Sequence, residues 1–482
     1  MDRSADFEAV IGLEVHVELK TESKIFCSCP TVFGSEPNTQ CCPVCMGLPG
    51  AMPVLNRRAV ELAVVAGLAL NCEISKACRM DRKHYFYPDL PKAYQISQAE
   101  YPICKNGYLD FPFGESTSRV GITRIHIEED AGKLIHEGGR TLVDCNRCGV
   151  PLIEIVSKPD LRSGAEAAAY LRELRQILMA CGVSDCKMQE GSMRCDVNLS
   201  IRKRGEHSLG VRTEIKNLNS FSFVEKAIVY ETQRQIHEWL ENGCVRQSTM
   251  RFLPSEGRTV VMRRKEESAD YRFIPEPDLP PFRISEETVA RMRLELPELP
   301  SQKRTRLVEQ YGISLKDAEI LAQDCSLAAY FEATAEICAH PKLALNLLLT
   351  DLLRFSESDP FRSPISETRL AELADLLGEG TVNSTTAKKL LLRLTETDFS
   401  PREIAEREGL IQIRDRAVIL SWIEEVLDTE RKSLADYLGG KKNAMRALQG
   451  KLMAKSQGRA DPVLAEVLLR EALAKKEEEA DA

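Results

Sequence analysis

Short runs that alternate strictly between apolar and polar residues constrain this chain most. Leu13-Glu14-Val15-His16-Val17-Glu18-Leu19 changes character at every position. Period two marks a strand with one buried and one open face, so Glu14, His16 and Glu18 leave the same side. Similar runs occupy 124–130, 194–202 and 211–217, and an apolar run at 150–157 carries the lone acid Glu154. From about residue 297 Leu, Ala, Glu, Lys and Arg recur at helical spacing instead. A proline-rich stretch, FIPEPDLPPF and then LPELPS, separates the two textures, and a weaker break falls near SPREIAEREG. Proline suits neither helix interiors nor central strands, so the stretch reads as a linker or strap. The expected fold is α+β: a strand-rich domain over 1–296 with a mostly antiparallel sheet, then two all-helical domains over 297–405 and 406–482.

Helices are also expected inside the first domain, at 57–70, at 223–239, and after Ser163-Gly-Ala-Glu166, a capping-box pattern. The 482 residues leave room for two to four domains. No run approaches the roughly 20 apolar residues that a membrane helix needs. The start, MDRSADFEAVIGLEV, lacks the basic-then-apolar layout of an export signal, so a cytoplasmic protein is expected. A net charge of −8 excludes a uniformly basic nucleic-acid coat and leaves only local basic patches for such a partner.

The polar faces suggest chemistry. His is rare here, seven in all, yet His16 stands between Glu14 and Glu18. Arg124, His126, Glu128 and Asp130 share a second face. Glu154 is embedded in an apolar run, where an acid needs a partner or a ligand. Asp196 and Glu214 lie on two more such faces. If these strands pair, carboxylates and an imidazole converge into a hard-cation site suited to Mg²⁺. The plainer alternative is that each face is the wet side of an antiparallel sheet. Between the strands, 81–98 mixes basic, aromatic and proline residues in the manner of a binding loop. Arg82 and Lys83 would suit phosphate there, and Tyr85 and Tyr87 a base. The segment 263–273 is similar in kind.

Sixteen cysteines without an export signal argue against a disulfide framework. Cys27-Ser-Cys29 and Cys42-Pro-Val-Cys45 have the spacing of a zinc knuckle, with Cys41 and the pair Cys145 and Cys148 as further thiols. Neither a P-loop nor a dinucleotide-binding glycine motif is present, so bound ATP would need another cradle. Between 430 and 459 eight basic residues face two acids, a local charge of +6. The bases Lys441, Lys442, Arg446, Lys451 and Lys455 would neutralise phosphates.

These segments also match as strings. IGLEVHVELKT, CPVCMGLPGAMPVLN, RKHYFYPDLPKAYQISQ, IHIEEDAGK, PLIEIVSKPDLRS, MQEGSMRCDVNLSIR and ADYRFIPEPDLPP resemble the B subunits of the aspartyl/glutamyl-tRNA amidotransferases. GGKKNAMRALQGKLMAKSQGRADP resembles that family's tRNA-contacting tail. The likeness runs from about residue 7 to about 473, without the large insertion of the archaeal relatives, so it favours the bacterial or organellar type. It implies a cradle-shaped, kinase-like first domain. It also implies a reaction: ATP phosphorylates the side chain of Glu or Asp misesterified to tRNA(Gln) or tRNA(Asn), and ammonia displaces the phosphate. The ammonia would come from glutamine through an A-type amidase partner, in a heterotrimer whose third member is a small C-type chain. Carried over by position, Mg²⁺ falls to Glu14, His16, Glu154 and either Glu128 or Glu129, with Asp196 a further candidate. Lys83 takes the basic role beside ATP, and Cys27, Cys29, Cys42 and Cys45 hold a structural Zn²⁺. Alternation favours Glu128, and the choice between Glu128 and Glu129 stays open. Competing readings are a non-catalytic tRNA-binding scaffold and an unrelated zinc hydrolase.

Overall fold

The computed structural model describes residues 3–264, 270–355, 361–441 and 443–481. The chain divides into two compact units, Met1–Gln302 and Lys303–Ala482. In the first unit the strands are β1 (Phe7–Glu18), β2 (Glu73–Ile74), β3 (Ala77–Cys78), β4 (Asp81–His84), β5 (Tyr94–Ser97), β6 (Cys104–Phe113), β7 (Ser116–Glu129), β8 (Lys133–Glu137), β9 (Arg140–Asp144), β10 (Pro151–Ser157), β11 (Met193–Lys203), β12 (Thr213–Leu218), β13 (Ser248–Leu253) and β14 (Arg258–Arg264). Nine of them form one sheet in the order β14-β13-β12-β11-β1-β10-β7-β6-β2. All neighbours are antiparallel except β12 and β13. A parallel pair needs a crossover. The helix α3 (Phe221–Asn242) supplies it.

The alternation of β1 decides which face closes. Ile11, Leu13, Val15 and Val17 are all at 0–1 % exposure. The helices α1 (Arg57–Ala69), α2 (Gly164–Ala180) and α3 pack against the sheet and contribute to the same core. Each such aliphatic side chain withdrawn from water stabilises the fold by about 1.5–3 kcal/mol. The other face of β1, with Gly12, Glu14, His16 and Glu18, is left for polar groups.

Local signals set the helix starts. Asn56 caps α1 by accepting from the Arg58 and Ala59 amides. Ser163 accepts from the Glu166 amide and so caps α2. The Glu166 carboxylate accepts from the amide of Arg162, one residue before the expected capping-box partner. Gly243 ends α3 at φ 73, a left-handed conformation that glycine adopts without a Cβ penalty.

The second unit is helical. Its buried apolar residues fall into two clusters, one running from Leu307 to Ala405 and one from Ile419 to Leu473. Among the described residues no helix is long and apolar enough to cross a membrane.

Candidate active site and metal centres

Strand register assembles the polar face. In β1, β10 and β7 the residues His16, Glu154 and His126 stand directly opposite one another. Opposed residues project to the same side of a sheet. Glu128 lies on that side, two residues beyond His126. His16 Nε2 is 3.3 Å from Glu154 Oε2 and 3.6 Å from Glu128 Oε1. His126 Nε2 is 3.5 Å from each of the same two carboxylates. One ligand atom each from His16, Glu128 and Glu154 lies within 4.8 Å of the others.

A second cluster adjoins it. Glu14 opposes Asp196 of β11, and Glu14, Asp196 and Glu214 bring their carboxylates within 4.8 Å of one another. The Asn198 amide donates to Glu14 at 2.8 Å, and Lys216 Nζ lies 2.7 Å from Asp196 and 2.9 Å from Glu214. The expected metal set is therefore divided, with Glu14 in this cluster and His16, Glu128 and Glu154 in the first.

The electrostatics follow from crowding. Burial, with the charges of Glu154, Asp196 and Glu214, raises the Glu14 pKa despite the Asn198 hydrogen bond. Burial opposes the charge of His16, but its hydrogen bond to Glu154 and the charges of Glu128 and Glu154 lift its pKa to about 9. Glu154 is held low against burial by His126 and His16, with help from Lys83. Farther along β1, burial and the neighbouring Asp130 push Glu18 up to about 8. The first cluster thus sets two imidazoles beside two carboxylates, whereas the second sets three carboxylates beside one lysine. Both offer the hard oxygen donors that Mg²⁺ accepts, and the donor sets fit that ion.

Glu129 goes elsewhere. It opposes Pro151 on the other side of the sheet, where Lys92 Nζ meets its carboxylate oxygens at 2.5 Å and the Ile96 amide donates at 2.8 Å. Glu128 faces the cluster and Glu129 turns away because the strand period sends neighbouring residues to opposite faces.

The basic loop is also divided. Lys83 on β4 has its ammonium 5.0 Å from the Tyr271 ring centroid and 5.7 Å from that of Tyr85. Arg82 is engaged by acids. Its guanidinium makes a bidentate pair with Glu276 at 2.8 Å, reaches Asp278 at 3.1 Å and stacks over Tyr94. It fastens β4 to the 276–278 strap. Tyr87 and Phe86 are exposed. Of the second loop, 263–273, the residues 265–269 lie outside the described residues.

The cysteine group sits between β1 and α1, in an irregular stretch. The sulfurs of Cys27, Cys29, Cys42 and Cys45 lie within 4.8 Å of one another. The Cys42 amide donates to Cys45 Sγ at 3.1 Å. A hydrogen bond from Cys27, reinforced by the Cys42 amide and Lys24, brings the Cys45 pKa down to about 4 despite burial. Four convergent sulfurs, one already favouring the thiolate, fit a closed zinc site. Cys41, Cys145 and Cys148 lie outside that group of four.

Residues 9–290 match the family model described as the GatB/GatE catalytic domain, and residues 329–473 match one described as the GatB domain. The chain is 48% identical over 478 residues to the B subunit of the aspartyl/glutamyl-tRNA(Asn/Gln) amidotransferase of Caldicellulosiruptor saccharolyticus, covering 98% of this chain and 100% of that one. The Carboxydothermus hydrogenoformans protein of the same name is 46% identical, with 98% and 99% covered. The first of the numbered B subunits of Clostridium acetobutylicum is 48% identical, with 98% and 100% covered. The chain belongs to this family of amidotransferase B subunits.

The family's second matched domain contains the basic tail. Lys441 pairs with Asp436 at 2.9 Å, Lys451 with Glu430 at 2.9 Å, and Lys455 with Glu425. Arg446 is exposed. Lys442 lies outside the described residues. Exposed ion pairs of this kind are worth ~0–1 kcal/mol, so a phosphate can replace the carboxylate at little cost.

Two side chains of this amidotransferase family member, Lys24 and Lys92, carry no signal in the sequence. His126 and Glu214 stand on the alternating faces expected from the sequence, but the expected metal set leaves them out. Lys24 and Lys92 lie in irregular segments, where spacing carries no such signal.

Proposed function

We propose that this chain activates and amidates Glu or Asp esterified to tRNA(Gln) or tRNA(Asn), as the names of its relatives describe for them. The observation that carries the reading is the pair of adjacent acid clusters on one open sheet face, with the Lys83 ammonium close enough to help hold Glu154 ionised. A carboxylate does not acylate ammonia, because oxide is too poor a leaving group. Transfer of the ATP γ-phosphoryl group to a side-chain oxygen gives an acyl phosphate and ADP. Ammonia then attacks the acyl carbon, inorganic phosphate leaves, and loss of a proton gives the amide.

The transfer brings two anions together and needs cation clamps. Bound Mg²⁺ would neutralise the phosphates and polarise the transferring group. His16, Glu128 and Glu154 would hold one such ion and Glu14, Asp196 and Glu214 another. Lys83 would meet the phosphate from β4. The four cysteines would hold a zinc ion with no open position, which suits structure rather than chemistry. Ammonia would come from glutamine through the A-type amidase partner, with the small C-type chain as third member of a cytoplasmic heterotrimer. The basic tail would contact tRNA phosphates.

The test is transamidation by this chain co-expressed with its amidase partner, on each mischarged tRNA in turn. Amide formation coupled to ADP release is expected on at least one of them. Amidation that proceeds without ATP would overturn the kinase step.

A further inference from the structure

Two lysines line a cavity of about 220 Å³ that also includes Cys27, Cys45, Glu129 and Gly149. Their surroundings differ. Lys92 has a carboxylate, that of Glu129, at 2.5 Å. Lys24 is fully buried, at 0 % exposure, and forms no ion pair with a carboxylate among the described residues. Its Nζ instead donates to Cys45 Sγ at 3.6 Å and to the Cys145 carbonyl at 3.2 Å.

A buried ammonium costs several kcal/mol unless opposite charge and hydrogen bonds compensate it. One carbonyl supplies a hydrogen bond but no charge. The group of opposite charge that the ammonium touches is the Cys45 sulfur, once it is a thiolate. A zinc ion with four thiolates is a dianion, and such a centre is stabilised by N–H donors that approach its sulfurs. The ammonium and the dianion therefore offset each other's desolvation cost.

The backbone shows why the position is fixed. The Lys24 amide donates to the Cys29 carbonyl at 2.9 Å, and the next residue, Ile25, donates to the Gly149 carbonyl at 2.8 Å. The side chain thus starts within the knuckle and ends on the loop that carries Cys145 and leads to β10.

We propose that Lys24 is a positioning residue of the zinc centre. Its buried ammonium hydrogen-bonds the Cys45 sulfur, offsets part of the tetrathiolate charge and ties the knuckle to the 145–149 loop. The proposal rests on the zinc reading above and extends it to a residue outside the four ligands.

The experiment uses the full-length chain, with its partner subunits, as Lys24→Met and Lys24→Arg. Zinc affinity is measured by competition with a chromophoric chelator, and the sulfur-to-metal charge-transfer band is recorded after cobalt(II) substitution. Lys24→Met should weaken zinc by about 10–100-fold, the range for losing a partner of a metal ligand, and shift the cobalt band. Lys24→Arg, which keeps the charge and its N–H donors, should lose less. Wild-type affinity and an unmoved band in a folded Lys24→Met protein would overturn the proposal. Wild-type protein that binds neither metal would instead remove the zinc reading itself. Should Lys24→Met fail to fold, amide exchange in the wild type decides. Chelating the zinc should speed exchange at Ile25 and across 145–149, and unchanged exchange there would reject the link.

Discussion

The acid–histidine face and the cysteine knuckle are both metal-type clusters, but the fold makes them in opposite ways. His16, Glu154 and His126 are held by three central strands whose backbones are paired on both sides. Both imidazoles lie within 3.6 Å of the carboxylates of Glu128 and Glu154. The knuckle lies in an irregular stretch, and its sulfurs come together across a gap of a dozen residues. The first cluster is placed by strand pairing. A zinc ion at the second would offset the ordering entropy of the loop. A site built on strands can serve chemistry, where geometry must survive turnover. A site built on loops serves to fix the loop.

The strongest way to break this contrast is to remove one acid or imidazole from the face. Glu14→Gln, His16→Ala and Glu154→Ala should each reduce ATP-dependent amidation by about 10³-fold, some 4 kcal/mol in the barrier. The melting temperature should move little, and tRNA binding should stay near wild type. For Glu14 the sign can be sharpened. Its raised pKa means that the folded state disfavours its charge, so Glu14→Gln should make the metal-free protein slightly more stable while removing activity. Thermal unfolding with and without Mg²⁺ checks this: Mg²⁺ should stabilise the wild type more than the variant. Near-normal amidation by Glu14→Gln and His16→Ala at limiting Mg²⁺ would reduce the face to the wet side of a sheet.

The tail extends the comparison to charges that the fold leaves exchangeable. Its lysines pair with surface acids that a phosphate can displace. Deleting the segment after Gln412 removes the apolar cluster from Ile419 to Leu473 as a unit. The KM for tRNA should rise about tenfold or more and the salt dependence should flatten, because fewer phosphates are neutralised. Turnover at saturating tRNA should change far less. An unchanged KM and salt slope would reject a tRNA role for this segment.

The knuckle should respond in the reverse sense to the face. Cys42→Ser should lower bound zinc and cost stability, on the order of 1–3 kcal/mol if the loop alone unravels, while the protein that remains folded keeps its chemistry. Metal analysis and denaturant unfolding measure both. A purified protein without zinc and with every thiol freely titratable would remove the site.

What was legible in the sequence follows the same division. Alternation in β1, β7, β10 and β11 shows which residues share a face, because a strand leaves its side chains only two directions. It also favours Glu128 over Glu129. It does not say which strands are neighbours, and that information splits Glu14 from His16, Glu128 and Glu154. Only register places Asp196 opposite Glu14 and His126 opposite Glu154. The ion pairs of Arg82 were not legible because its partners, Glu276 and Asp278, are almost two hundred residues away. Lys24 carried no signal at all. A lysine in an irregular segment reads as solvated until the packing around it is known.

The smallest expected effect tests how sharply the face is bounded. Glu18 shares the side of β1 with Glu14 and His16 but stands one step beyond the metal clusters. Its neighbour there is Asp130, which is held by Arg194 at 2.7 Å. Burial and Asp130 raise its pKa, so its anionic form is disfavoured there and it makes a poorer metal ligand than a free carboxylate. Glu18→Ala should therefore lower amidation only a few-fold, on the order of 1 kcal/mol in the barrier. The loss should be no greater at low Mg²⁺ than at high Mg²⁺. A metal ligand behaves otherwise, because added Mg²⁺ partly restores a site weakened by mass action. If Glu18→Ala is as damaging as His16→Ala and is rescued by Mg²⁺, the ion site extends along β1, and the boundary drawn by the 4.8 Å clusters is too tight.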